Sequence, residues 1–262
     1  MDTLEGVRLK LDRAEQTIEE IYEAIVEYIS EENYTGVGQF YPDTSEYVLR
    51  GKVTKSTGEI GVIAGDVVHN LRSALDHLAW QLALLNTATP YDLTQFPIAL
   101  TPGEFGSKRG QKMIGDLSPN HRARIESFQP YHGTSKAWTP LALADLRTLS
   151  NTDKHRLINA TAAKTITGEQ MMVDEALVIV RDAAACSDVR WFEGGSVDGA
   201  EIARMTLEGV GPDPKVKVEG LLGVTVSFDD PALTHRYSNV WPLLNAILKS
   251  VREVVAAFEA DL

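Results

Sequence analysis

Five residues between positions 69 and 77 carry side chains that move protons or hold anions: His69, Arg72, Ser73, Asp76 and His77. Histidine titrates near neutrality, arginine offers a fixed cation to a phosphate or carboxylate, and carboxylates and hydroxyls orient both. On a helix, with residues about 100° apart, these five together with Asp66 and Trp80 fall within about 140° of one another. A merely solvated face is usually rich in Lys, Glu and Gln. This one has two His, two Asp, one Arg and one Ser, with no Lys or Glu. Arg72 and Asp76 stand at the i,i+4 spacing of an ion pair, and His69–Ser73 and Ser73–His77 share that spacing. The competing reading is a buried polar network whose members satisfy one another's hydrogen bonds.

A second polar cluster runs from Ser150 through Asn151, Thr152, Asp153, Lys154 and His155 to Arg156. Ser150 to Asp153 are cap-type residues in succession, which places a helix break near Ser150. Backbone N–H groups at a helix start, with Lys154, His155 and Arg156 beside them, suit an anion such as phosphate. His155 is the member expected to join the His69–His77 face. A capped, solvated first turn is the alternative.

A metal-dependent site would draw on His69 or His77 with Asp66 or Asp76 and with His155. The histidines of α-helical positions 69 and 77 lie two turns apart, which is far for two ligands of one ion, so no metal or cofactor is expected. The sequence has no Gly-rich phosphate loop followed by Lys-Ser or Lys-Thr, no Gly-x-Ser-x-Gly and no His-Glu-x-x-His.

The elements that must position these residues follow from hydrophobic periodicity. Leu4, Val7, Leu11, Ala14, Ile18, Ile21, Ile25 and Tyr28 predict a first long helix, packed within the chain or across a dimer. Gly36, Gly38 and Pro42 predict a hairpin or irregular excursion over 33–57. Ile60, Ile63, Val67, Leu71, Ala74, Leu78, Leu82 and Leu85 predict a second helix over about 58–86, which carries the His69 face. Short helices are expected near 103–117 and 119–128, the latter capped by Ser118 with Pro119 at its first position. Another helical stretch spans about 140–163. Residues 169–231 read as a meander of three to five strands, with Gly194–Gly199 as a turn, and Val240, Leu243, Ile247, Val251, Val254 and Phe258 stripe a closing helix over about 239–262. The expected fold is a single α+β domain over 1–262. A helical bundle (1–32, 58–165 and 239–262) carries an antiparallel β-meander insertion, with β-rich segments at 33–57 and 166–238.

Composition bounds the function. The chain has 262 residues, one cysteine and a formal net charge of −12. One cysteine permits no intrachain disulfide and no Cys-based zinc site. The N-terminal residues lack the apolar core of a signal peptide, and no uncharged apolar run of membrane-spanning length is present, so a cytoplasmic protein without a membrane partner is expected. Net acidity argues against non-specific nucleic-acid binding. Yet residues 101–165 hold ten Lys and Arg against five Asp and Glu, a basic middle compatible with a local anion site or with internal ion pairing.

The run Arg72-Ser-Ala-Leu-Asp-His77 has an arginine, four intervening residues and a histidine on a predicted helix. It resembles the R-x(4–6)-H signature of the HEPN superfamily. The resemblance implies a helical bundle, often a homodimer in which two copies of the motif meet. It also implies a metal-independent endoribonuclease of toxin, antiphage or other defence systems, or a non-catalytic relative that binds nucleotides or protein partners. Carried over, Arg72 stabilises the scissile phosphate and His77 acts on the 2′-hydroxyl or the leaving oxygen, with His69, Ser73 and Asp76 orienting them. Lys154, His155 and Arg156 then contact the RNA or nucleotide. The alternative function is a non-catalytic nucleotide- or protein-binding module using the same face.

Overall fold

The protein is described by a computed structural model that covers residues 3–30, 33–133, 138–156, 158, 160–164, 177–181, 185–191, 198–212, 214–219, 224–233 and 239–262. It is a mixed α+β structure. The chain divides into two compact units: residues 1–24, 58–159 and 228–262 form unit 1, and residues 25–57 and 160–227 form unit 2.

Unit 1 is helical. Helix α1 (Glu5–Ser30) begins in it, and α2 (Gly58–Leu84), the short α3 (Pro102–Phe105), α4 (Lys108–Met113) and α5 (Pro119–Ser127), then α6 (Trp138–Asp153) and α7 (Val240–Ala256) follow. The predicted stripe of α1 is buried along its whole length, from Leu4 to Tyr28. Helix α2 packs against both α6 and α7, which also pack on each other. Enclosure on two sides widens the buried arc of α2 beyond its predicted stripe, to include Gly61, Ala64, Gly65, Val68, Leu75, Ala79 and Ala83. At its C-terminal end the stripe fails: Leu85 lies past the helix and is 51% exposed. Helix α1 is tied to α7 by the bidentate Glu15–Arg252 pair, both bonds 2.9 Å, and by the tilted Tyr22–Trp241 rings at 5.4 Å. Ser118 caps α5 as expected, its hydroxyl accepting from the His121 N–H, with Pro119 in the first turn. Among the described residues, no helix is long and apolar enough to cross a membrane.

An extended segment of unit 1, residues 94–100, the strap, lies against α2 without a strand partner among the described residues. Buried backbone groups must still be satisfied, and here side chains do it. The Phe96 N–H donates to Asp76 Oδ1 (3.0 Å) and the Phe96 carbonyl accepts from Arg72 Nη2 (2.6 Å). Gln129, fully buried, donates to the Pro97 carbonyl (3.0 Å) and accepts the Ala99 N–H (2.8 Å). Arg147 donates to the Ile98 carbonyl (3.1 Å), and Glu104 accepts the Leu100 N–H (2.8 Å). The Gln95 N–H donates to the Met113 carbonyl (3.1 Å). The Arg147 guanidinium also bonds the Glu104 carboxylate, holding it below the usual carboxylate range.

Unit 2 holds a four-stranded sheet of order β1-β2-β6-β5, built from β1 (Tyr34–Tyr41), β2 (Glu46–Val53), β6 (Glu201–Glu208) and β5 (Ala185–Trp191), with each neighbouring pair antiparallel. Strands β3 (Ala160–Lys164) and β8 (Val224–Phe228) pair with each other, as do β4 (Leu177–Arg181) and β7 (Lys215–Glu219). Gly38 leaves the room in which the Tyr47 ring lies across β1. Tyr47, Leu49, Ile202, Ala203, Met205 and Leu207 form the core of the sheet.

Three expectations are corrected. The β-rich segment after α6 does not close on itself as one meander: β6 pairs with β2 of the N-terminal hairpin. A hairpin leaves two edges of unpaired backbone groups, and a strand distant in sequence fills one of them. The helix expected to reach Ala163 ends at Asp153, and residues 160–164 are strand. No break occurs at Ser150, because the cap-type residues 150–153 form the last turn of α6 rather than the start of a helix. The Gly194–Gly199 turn lies largely outside the described residues.

Gln129 serves two strap residues and the Ile125 carbonyl (2.9 Å) at once. Gln129→Leu orphans these buried groups and is expected to lower unfolding free energy by about 2–4 kcal/mol. His69→Ala, on an exposed position, should change it by less than about 0.5 kcal/mol. Denaturant unfolding of the two variants checks both values.

Candidate functional site

The His69 face of α2 is open. His69, His77 and Trp80 are exposed, and Arg72, Ser73 and Asp76 are half-buried. The wholly buried network weighed against the site is therefore not what the fold builds, but part of the face is structural. Arg72 and Asp76 form the anticipated i,i+4 pair, with Nη2 2.7 Å from Oδ1. The same Nη2 and the same Oδ1 also bond Phe96, so the carboxylate, the guanidinium and the Phe96 peptide groups close a ring. The side chains of Arg72 and Asp76 retain 17% and 28% of their exposure. Asp76 Oδ2 has no hydrogen-bond partner among the described residues.

Burial between α2 and the strap raises the Asp76 carboxyl above its ordinary value. This outweighs the opposing pull of the Arg72 charge, the Phe96 N–H and the Lys154 charge. A carboxyl so placed can hold or release a proton closer to neutrality than a solvated aspartate does.

The remaining residues are distributed around this ring. Ser73 Oγ sits 3.5 Å from His69 Nε2, a contact at the limit of a hydrogen bond. His77 packs its ring against Gly6 of α1, where a side chain would come within 3.4 Å of Nδ1. Asp66 is exposed. Asp76 and His77 share a pocket of about 440 Å³ with Trp80, Gln81, Thr94 and Gln95. Arg72, Ser73 and His69 do not line it. Thr94 is 5% exposed, and its hydroxyl is buried without a hydrogen-bond partner among the described residues.

Lys154, His155 and Arg156 are exposed and follow the C-terminus of α6. Their backbone N–H groups donate back to the Ser150 and Thr152 carbonyls, so the anion cradle expected at a helix start is absent there. At a helix C-terminus the dipole favours these cations themselves. Arg156 lies 3.6 Å from Asp230, which also accepts from the Thr152 hydroxyl (3.1 Å) and from the Ala232 N–H (3.0 Å). Of the three residues, Lys154 is the one whose charge reaches Asp76. The Asp153 carboxylate packs on Gly65 of α2, which brings the end of α6 to the N-terminal half of that helix. Among the described residues, no three His, Cys, Asp or Glu side chains converge in a way that could hold a metal ion.

Sequence reasoning did not single out Thr94, Gln95 and Gln81. Trp80 was on the predicted face. The strap residues carry no periodic pattern that could have pointed to them. The chain matches no family model, and comparison with curated proteins and with solved structures gives no match.

The raised Asp76 carboxyl makes a signed prediction. Between the ordinary carboxyl value of 3.8 and the higher folded value, the folded state holds the proton more tightly than the unfolded chain. Stability from this group is therefore full below the ordinary value and is lost as pH rises through the folded one. Asp76→Asn removes that slope. Measured by thermal unfolding in a pH series upward from pH 3, the variant should gain on the wild type as pH rises through this window. A constant offset between the two would contradict the assignment.

Proposed function

We propose that unit 1 binds a nucleotide, free or within RNA, at the pocket shared by Asp76, His77 and Trp80. In this reading the protein is a non-catalytic binding module. The observation that carries it is the pocket itself: an indole at the surface for stacking, and neutral hydrogen-bonding side chains beside an ionisable pair, in a volume typical of small-ligand sites. The engagement of Arg72 Nη2 with Asp76 and Phe96 supports binding over cleavage, since the guanidinium charge is already paired with a carboxylate and one of its nitrogens is committed to the backbone.

The second reading is the HEPN-like, metal-independent endoribonuclease of a defence system. In it, α1, α2, α6 and α7 act as a helical bundle and two copies of the chain pair as a homodimer. The exposure of both histidines on the Arg72 helix favours it. His77 then exchanges the proton, and Arg72 must turn Nε and Nη1 towards the phosphate while Nη2 keeps the strap.

Binding of the nucleoside monophosphates and of a short RNA, followed by calorimetry with EDTA present, separates the readings. Trp80→Ala should weaken binding roughly tenfold through lost stacking. RNA that binds and stays intact supports the module. Cleavage abolished by both His77→Ala and Arg72→Ala, in variants folded by circular dichroism, supports the ribonuclease. Absence of binding and of cleavage overturns both.

A further inference from the structure

Resting on the nucleotide reading, we propose that the pocket takes the base rather than the phosphate, and that it selects a base with an exocyclic amino group. Among the described residues the lining holds no Lys or Arg: it is formed by Asp76, His77, Trp80, Gln81, Thr94 and Gln95. A phosphate placed there would meet a carboxylate without a compensating cation in the wall. A neutral heterocycle meets the opposite conditions. Trp80, 37% exposed, offers a π face on the pocket rim.

The polar atoms argue for an amino-bearing edge. Asp76 uses Oδ1 for both Arg72 and Phe96, leaving Oδ2 as an acceptor that asks for an N–H donor. Gln81 and Gln95 are half-buried and bring amides that match a mixed donor and acceptor edge. The Thr94 hydroxyl is the independent sign of a missing ligand. Thr94 lines the pocket, and its buried hydroxyl has no hydrogen-bond partner among the described residues, a condition that costs free energy in the empty protein and that turning onto a bound ring nitrogen or amino group relieves. Charged parts of the ligand lie outside the wall.

The test is calorimetry of the whole chain with adenosine, guanosine, cytidine and uridine, with inorganic phosphate and ribose 5-phosphate as base-free probes. Cytidine and uridine have the same size and differ along one edge, where cytidine carries a 4-amino group beside an acceptor N3 and uridine a 4-carbonyl beside an N3–H donor. Cytidine should bind at least about tenfold more tightly than uridine, and the base-free probes should not bind. Thr94→Val keeps the shape and removes the orphaned hydroxyl. It should leave thermal stability equal or higher while weakening nucleoside binding roughly tenfold. Gln95→Leu, whose backbone bond to Met113 is untouched, provides a second variant with the same expected direction. Equal affinity for cytidine and uridine, or unchanged binding by both folded variants, overturns the proposal. Nucleoside monophosphates or RNA that bind while nucleosides do not also overturn it, but leave the nucleotide reading standing. Failure of nucleosides, nucleotides and RNA alike removes both.

Discussion

The ring of bonds among Arg72, Asp76 and the Phe96 peptide groups is the constraint on which the site depends. An extended segment laid on a helix has no ladder to satisfy its backbone, and water is excluded where Phe96 is fully buried. A single carboxylate oxygen and a single guanidinium nitrogen solve this for Phe96, each serving the other and the chain. Gln129, Arg147 and Glu104 extend the same solution along the strap. Because Phe96 is held, Thr94 and Gln95 immediately before it are held as well, and the pocket has a wall.

That arrangement separates two jobs on one helix. Oδ1 of Asp76 is structural and Oδ2 is not; Arg72 Nη2 is structural, while its other nitrogens have no bond among the described residues. The burial that makes the bonds strong also raises the carboxyl, since a low-dielectric crevice strengthens hydrogen bonds and penalises charge together. A site whose proton affinity is set by its own scaffold follows directly.

The cluster at 150–156 shows how a polar run can be read in the wrong direction. Ser, Asn, Thr and Asp are favoured at helix starts because their side chains accept orphan N–H bonds. Here the apolar positions Leu143, Leu146 and Leu149 carry α6 into the core without interruption. Packing of those leucines, together with the Asp153–Gly65 contact, keeps the run helical to Asp153. The cations beyond it then meet carbonyls instead of N–H groups, and the chemistry expected of them reverses.

Sequence alone determined the elements whose signals are local. The stripe of α1, the body of α2, the Ser118-Pro119 cap and the closing helix are all legible, because periodicity and capping act over a few residues. The Arg72–Asp76 pair and the polar face around it were legible for the same reason. Tertiary structure alone decided what non-local contacts decide. These are the pairing of β6 with β2, the end of α6, the openness of the face, and the recruitment of Thr94, Gln95 and Gln81 to a pocket beside His77. No residue pattern encodes which distant peptide group a carboxylate will bond. Asp76 is twenty positions from Phe96, and their meeting depends on how the segment after α2 folds back along that helix.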